Sequence, residues 1–255
     1  MVSASRRTDM LAFQPDRLLA AITGELPFTK VLNPDKIHTL LISTKDFRNI
    51  LDHRTLKNTC SQCDQVCFNL TITGLGETII EPNVPNPSVL FERLPELIKF
   101  AGDPNRITWC FDPILIWSSI SNMDLKLFIR LAQEFATVGV KRVMAMFFYP
   151  YRNAKINPSD VPMFEKQNFA RQVNEVCVSL DMELSFCHVP GFHRQRCVDL
   201  SWFATLHPSQ DKTPISHYKK IKCVDSSYCR DAIWDVGWYL PKCLHGCVYC
   251  YGKAE

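Results

Sequence analysis

The sequence contains no run of about 20 apolar residues, the length a helix needs to cross a bilayer, so no membrane-spanning segment is expected. Its first residues, Met1-Val2-Ser3-Ala4-Ser5-Arg6-Arg7, put hydroxyls and charge where a secretion signal would put a long apolar stretch, and the expected location is cytoplasmic. Charge of one sign is in short supply: 29 basic side chains against 26 acidic ones leave +3, a field that permits an anionic partner without demanding one. With 46% hydrophobic and 22% charged residues the chain is neither disordered nor fibrous and can bury a full core. What the last part of the chain lacks is periodicity. Past Pro190 the apolar pattern fades, and from about His207 onward Pro, Ser, Lys, Cys and Trp follow with no sustained stripe.

The rest of the chain is strongly patterned. Short β-branched or aromatic runs at Val2–Ser5, Ile37–Ser43, Val66–Thr73, Arg106–Phe111, Arg142–Tyr149 and Met182–Cys187 read as strands. Between them Phe128, Leu131, Ala132, Phe135 and Ala136 draw one helical stripe, and Phe169, Val173, Val176, Cys177 and Leu180 draw another. Strand followed by helix, repeated, predicts an α/β fold. The expected form is a TIM-like (β/α) barrel or a partial (β/α)6 barrel over residues 1–206, with residues 207–255 an irregular cysteine-rich tail folded onto its mouth. A doubly wound open parallel sheet is the alternative. Chemistry in such folds sits at the C-terminal strand ends. That expectation gathers Arg6, Arg7 and Asp9 from the first strand, Thr44 and Lys45 from the second, Gly74 and Gly76 from the third, Asp112 from the fourth, Pro150 from the fifth and His188 from the sixth.

The chain has 12 cysteines. In a reducing compartment these are thiols or metal ligands rather than a disulfide framework. The tail ends Cys243-Leu-His-Gly-Cys247-Val-Tyr-Cys250, a C-x3-C-x2-C triplet with Tyr249 directly before its last cysteine. Three thiolates so close in sequence can reach three irons of a [4Fe–4S] cluster and leave the fourth open. Gly246 allows a tight turn between ligands, and Tyr249 is placed to pack against the cluster or a cofactor. A zinc knuckle completed by Cys223 or Cys229 is the competing reading, although structural zinc more often uses two separated pairs. Metal binding would supply the ordering free energy that the tail cannot draw from burial. Cys110, Cys177, Cys187 and Cys197 lie in or near apolar runs and read as small core residues. Cys60, Cys63 and Cys67 form C-x2-C-x3-C before the third strand, which leaves a second metal site open.

The triplet with its aromatic neighbour resembles the cluster motif of radical SAM enzymes, displaced here to the C-terminal end. The chain from Ser3 to Tyr251 is similar to a bacterial domain-of-unknown-function family, DUF1848, whose C-terminal cysteines have that resemblance. The similarity rests on Ser3-Ala-Ser-Arg-Arg-Thr-Asp9, Thr71-Ile-Thr-Gly-Leu-Gly76, Glu81-Pro82 and Phe111-Asp112-Pro113, then on Asp211-Lys212-Thr213, Asp235-Val236-Gly237 and His245-Gly246-Cys247-Val-Tyr-Cys250-Tyr251. It implies a metal-binding barrel, and through the radical SAM likeness an enzyme in which S-adenosylmethionine occupies the open iron, a reductant supplies the electron, and a small, anionic or nucleotide-like substrate reacts. Arg6 and Arg7 offer forked donors for phosphate or carboxylate, and Asp9 and Asp112 offer acceptors, although Arg7 and Asp112 serve equally as a structural ion pair. A non-catalytic or electron-transferring metalloprotein with a fully ligated site is the alternative function. Trp234, Trp238, Tyr239, Tyr249 and Tyr251, interleaved with Lys242 and Lys253, could stack on nucleic-acid bases, but packing around a cluster is the favoured reading.

Overall fold

The computed structural model describes residues 1–5, 8–26, 32–151, 154–193, 196–210, 220–222, 228–231, 234–236 and 243–250. In chain order the elements are β1 (Val2–Ala4), α1 (Met10–Phe13), α2 (Pro15–Ile22), β2 (Leu40–Thr44), α3 (Arg48–Asp52), α4 (Arg54–Cys60), β3 (Val66–Thr71), α5 (Pro87–Ala101) and β4 (Ile107–Ile114). There follow the short pair β5 (Ile116–Trp117) and β6 (Ile120–Ser121), then α6 (Leu125–Thr137), β7 (Arg142–Phe147), α7 (Met163–Ser179), β8 (Glu183–Cys187) and α8 (Leu200–Leu206). The tail contributes β9 (Lys220–Lys222), β10 (Tyr228–Asp231) and β11 (Trp234–Val236). All six expected strands form, with ends shifted by a few residues. The largest shifts, of three residues, are at the start of β2, which begins at Leu40 after the 3-10 turn of Pro34–Lys36, and at the end of β4, which runs on to Ile114.

Seven strands make one sheet in the order β11-β1-β2-β3-β4-β7-β8, and every neighbouring pair is parallel. The strand order follows the chain from β1 to β8 without the reversal that defines a doubly wound sheet. Among the described residues the sheet is open, with β11 and β8 at its edges and no strand pairing between them that would close it into a barrel. The tail is less irregular than its composition suggests, because β11 pairs Val2 with Trp234, Ser3 with Asp235 and Ala4 with Val236. A strand of three residues can join here because β1 supplies the free hydrogen-bonding edge.

Side-chain alternation along the register divides the sheet into two unlike faces. Val2, Ala4, Leu40, Ile42, Phe68, Leu70, Trp109, Phe111, Val143, Ala145, Leu184 and Phe186 all belong to the main core under the helices. Trp109 is its centre, stacked on Phe135 at 4.9 Å and donating from its ring nitrogen to the Ile72 carbonyl at 2.9 Å. The stripes read from the sequence pack here: Phe128, Leu131, Ala132 and Phe135 of α6 are buried, as are Phe169, Val173 and Cys177 of α7. Asp124 starts α6 by accepting from the Lys126 and Leu127 N–H groups, and Asn86 with Pro87 starts α5.

The opposite face carries Ser3, Asn69, Thr108, Arg142, Cys110 and Ser185, with Asn69, Thr108 and Arg142 in one row across β3, β4 and β7. Its N-terminal end is closed by the segment leading into α8. Val198 and Phe203 pack on Leu41 and Cys67, Asn69 donates to the Cys197 carbonyl at 2.9 Å, and the Arg142 guanidinium lies 4.3 Å over the Trp202 ring. Cys67 is thus a core residue of this second layer, while Cys60 and Cys63 are buried in the main core. The triplet Cys60, Cys63 and Cys67 is therefore split between two faces of the sheet. Among the described residues no helix is long and apolar enough to cross a membrane.

Candidate metal centre

The C-terminal strand ends present a buried polar layer built from three successive loops. After β1, Asp9 caps α1 by accepting from the Ala12 N–H at 3.1 Å. Its carboxylate also accepts from the Thr44 hydroxyl at 2.9 Å and from the Lys45 N–H at 2.8 Å, which ties the first loop to the end of β2. The third loop follows β3 and is shaped by two glycines. Gly74 has φ +77, and a Cβ there would stand 2.8 Å from Leu127; a Cβ on Gly76 would stand 2.3 Å from the Pro85 carbonyl oxygen. Only glycine lets this loop close on itself, and closure delivers Glu81 and Asn83 beside the other two loops. Buried Asn122 fastens the third loop to the end of β4, donating to the Thr73 and Pro113 carbonyls and accepting from the Leu115 N–H.

The cysteine turn sits on this layer. His245 Nε2 lies 2.8 Å from Asp9 Oδ2, and His245 Nδ1 lies 3.2 Å from the Asn83 carbonyl. Asn83 returns two bonds, from its backbone N–H to the His245 carbonyl at 3.1 Å and from Nδ2 to the Leu244 carbonyl at 2.7 Å. Further along, the Val248 N–H donates to the Ile80 carbonyl at 3.1 Å, and Val248 accepts from the Lys155 N–H at 2.7 Å. The buried Tyr249 hydroxyl donates to Glu81 Oε1, which also accepts from Lys45 Nζ at 2.8 Å. Gly246, at φ +70, lays the backbone against Pro82. The ring of Phe13 meets His245 edge-on at 4.6 Å.

The electrostatics follow from this burial. Burial disfavours the Lys45 charge, but Glu81, then the nearby Cys247 sulfur and Asp112, outweigh it and hold the ammonium above its usual range. Burial pushes the Cys247 thiol up to about 12 against the pull of Lys45, and it raises Cys243 as well. The three thiols stand close enough to feel one another's charge. As donors they fit an iron–sulfur cluster: three soft sulfur ligands on one tight turn, beside a fixed cation that offsets thiolate charge. Among the described residues no group of three or more His, Cys, Asp or Glu side chains is drawn together closely enough to hold a metal ion.

The structure brings Asp9 and Tyr249 to the cysteine turn, and it places Asp112 at the same strand ends, within electrostatic reach of Lys45, Glu81 and Cys197. Gly74 and Gly76 shape the supporting loop. His188 ends β8 at the other edge of the sheet, its ring 6.0 Å from Tyr149. Arg6, Arg7 and Cys223 lie outside the described residues, as do Trp238, Tyr239, Lys242, Tyr251 and Lys253, and β10, which contains Cys229, is described by its backbone. Tyr249 faces inward, as packing requires and base stacking would not. Lys45 is one of the strand-end residues that the sequence points to, whereas Glu81 entered only through the family resemblance and Asn83 was missed. The available signal was a Glu-Pro pair closing a glycine-bounded loop.

Among curated proteins none matches the sequence. One family model does, over residues 1–252: the chain belongs to the family described as a domain of unknown function, DUF1848.

Proposed function

We propose that this chain is a metalloprotein in which Cys243, Cys247 and Cys250 hold a [4Fe–4S] cluster above the C-terminal strand ends, as an electron-transferring or structure-holding centre. One observation carries the reading. A short turn bearing three sulfur donors is fastened to the first three strand-end loops: buried His245 to buried Asp9, the exposed Asn83 to the turn backbone, and buried Tyr249 to buried Glu81, which also holds Lys45. A bound cluster would supply one-electron chemistry and would draw the thiols into their ionised form. The chain's own part is to hold three sulfurs in place, keep Lys45 charged beside them and shield the site from water. The sequential strand order, with its helical core on one face, supports a (β/α)6 arrangement opened along one seam.

A second reading is favoured by a specific observation. Glu81 Oε2 is buried and has no hydrogen-bond partner among the described residues, and Asp112 stands near it on the polar face. Two carboxyls beside Lys45 at the strand ends are equipped to meet a substrate or S-adenosylmethionine as well as a cluster.

Anaerobic purification followed by iron and sulfide analysis tests the main reading. The expected result is about four of each per chain, with loss of the broad visible absorption on replacing Cys243, Cys247 and Cys250 by Ala and its retention in Cys177→Ala. Stoichiometric zinc without sulfide would overturn it. A change in the cluster spectrum on adding S-adenosylmethionine would move the assignment to the second reading.

A further inference from the structure

Between the first two cysteines of the turn lies His245, which by sequence either shapes the loop or donates to cluster sulfur. In the fold each of its ring nitrogens faces an oxygen: Nε2 the Asp9 carboxylate at 2.8 Å, Nδ1 the Asn83 carbonyl at 3.2 Å. Neither nitrogen presents a lone pair to a metal. The ring is buried and fixed from the side by Phe13. We infer that Asp9 is the positioning residue of the metal turn, acting through His245 as its handle, so that His245 is not a ligand.

The inference rests on the proposed metal-binding reading, and three features of Asp9 carry it. It is itself buried, at 7% exposure. Its orientation is determined before the turn arrives, because the Ala12 N–H, the Thr44 hydroxyl and the Lys45 N–H all donate to it. Its remaining capacity is directed at a side chain 236 positions away in sequence. A carboxylate fixed by its own loop is a rigid reference point. His245 has one residue between it and each of Cys243 and Cys247, so the reference is passed to both sulfurs through very little backbone. Carboxylate–histidine pairs beside metal ligands act in this way, and their loss costs about 10–100-fold in metal affinity or activity.

Asp9 also caps α1, so a structural role must be separated from a positioning one. Asp9→Ser keeps a side-chain oxygen able to cap the helix but is too short to reach His245; Asp9→Asn keeps the shape and loses the charge; His245→Gln leaves the cap untouched. Each is purified anaerobically and examined for iron content, for the electron paramagnetic resonance spectrum of the reduced protein, and for the rate of iron loss to an excess of chelator. Thermal unfolding of the same samples monitors the fold.

The expected result is iron loss faster by about tenfold or more in Asp9→Ser and His245→Gln, an altered resonance spectrum, and a double variant Asp9→Ser/His245→Gln no worse than either single one. Wild-type rates and spectra in both single variants would overturn the inference while leaving the metal reading intact. Should Asp9→Ser fail to fold, His245→Gln decides the matter by itself, wild-type behaviour again counting against. Wild-type protein that takes up no iron would refute the metal reading and this inference with it.

Discussion

Replacing Asp112 by Asn should make the protein more stable at neutral pH and should flatten its stability profile between pH 5 and pH 8. Asp112 lies on the polar face of β4, where burial, with Cys197 and Glu81 adding to it, raises its carboxyl from the ordinary 3.8 to about 7, while Lys45 opposes the rise. A carboxyl whose folded pKa exceeds its unfolded value binds its proton more tightly in the folded chain. Its contribution to stability is therefore largest at acid pH, falls as pH climbs from about 4 to about 7, and is constant above that. At about 1.4 kcal/mol per pH unit, the loss between pH 5 and pH 7 has a ceiling of about 2.7 kcal/mol. Asp112 is only partly enclosed, and solvent screening brings the expected figure to about 1–2 kcal/mol. Asparagine has nearly the same shape and does not titrate, so the variant should match wild type only near pH 4 and below, and should gain that amount on wild type between pH 5 and pH 8. Urea unfolding of both proteins at equal metal content, at several pH values across this range, reads the difference directly. A difference that stays constant with pH, or a variant that loses stability as pH rises relative to wild type, would refute the assignment of Asp112 as a carboxyl held protonated by its surroundings.

Lys45→Met should destabilise the fold by about 3–5 kcal/mol, because it leaves the Glu81 carboxylate buried without its cation; Lys45→Met combined with Glu81→Gln should recover part of that loss in the same unfolding assay. Gly76→Ala should cost about 1–3 kcal/mol and loosen the cysteine turn, since its methyl would stand 2.3 Å from the Pro85 carbonyl oxygen in the loop that carries Glu81 and Asn83. A melting temperature equal to wild type would show that the loop has another way to close. Deleting the residues after Pro241 removes the three cysteines but keeps β11 paired with β1, so a soluble, cooperatively unfolding chain without iron is expected. Aggregation of that chain would mean that the cysteine turn is required for the sheet itself.

How much of this was legible in the sequence depended on the range of the interaction. Period-two and helical stripes are local, and the six strands and the stripes of α6 and α7 could be read from them. The edge strand β11 could not, because Trp234–Val236 is too short to show a period and is a strand only through its partner β1. The openness of the sheet is equally non-local, since a ring and an open sheet share the same alternation along the chain. Asp9, Lys45 and Asp112 were found by the rule that chemistry gathers at C-terminal strand ends, and the cysteine triplet with Tyr249 by its spacing. A role for Glu81 escaped because a glutamate in a loop is normally solvated; only the closure of the glycine-bounded loop buries it against Lys45.

The two faces of the sheet explain why one end of this fold became polar. On the helical face the core is continuous from Leu18 to Phe186 and admits no charge without a large desolvation cost. Among the described residues, the segment around α8 covers the N-terminal end of the opposite face through Leu41, Cys67, Val198 and Phe203. At the C-terminal end of that face, Asp112 and its neighbours carry polar groups that need partners. The cysteine turn provides them: Tyr249 for Glu81, His245 for Asp9, and backbone carbonyls for Asn83. The turn has little core of its own: Tyr249 packs with Leu75, Ile80 and Leu115 in a small cluster that Cys247 and Val248 join as partly buried members. Each side thus lacks what the other supplies, so the position of the three sulfurs over the strand ends follows from hydrogen-bond satisfaction more than from hydrophobic packing.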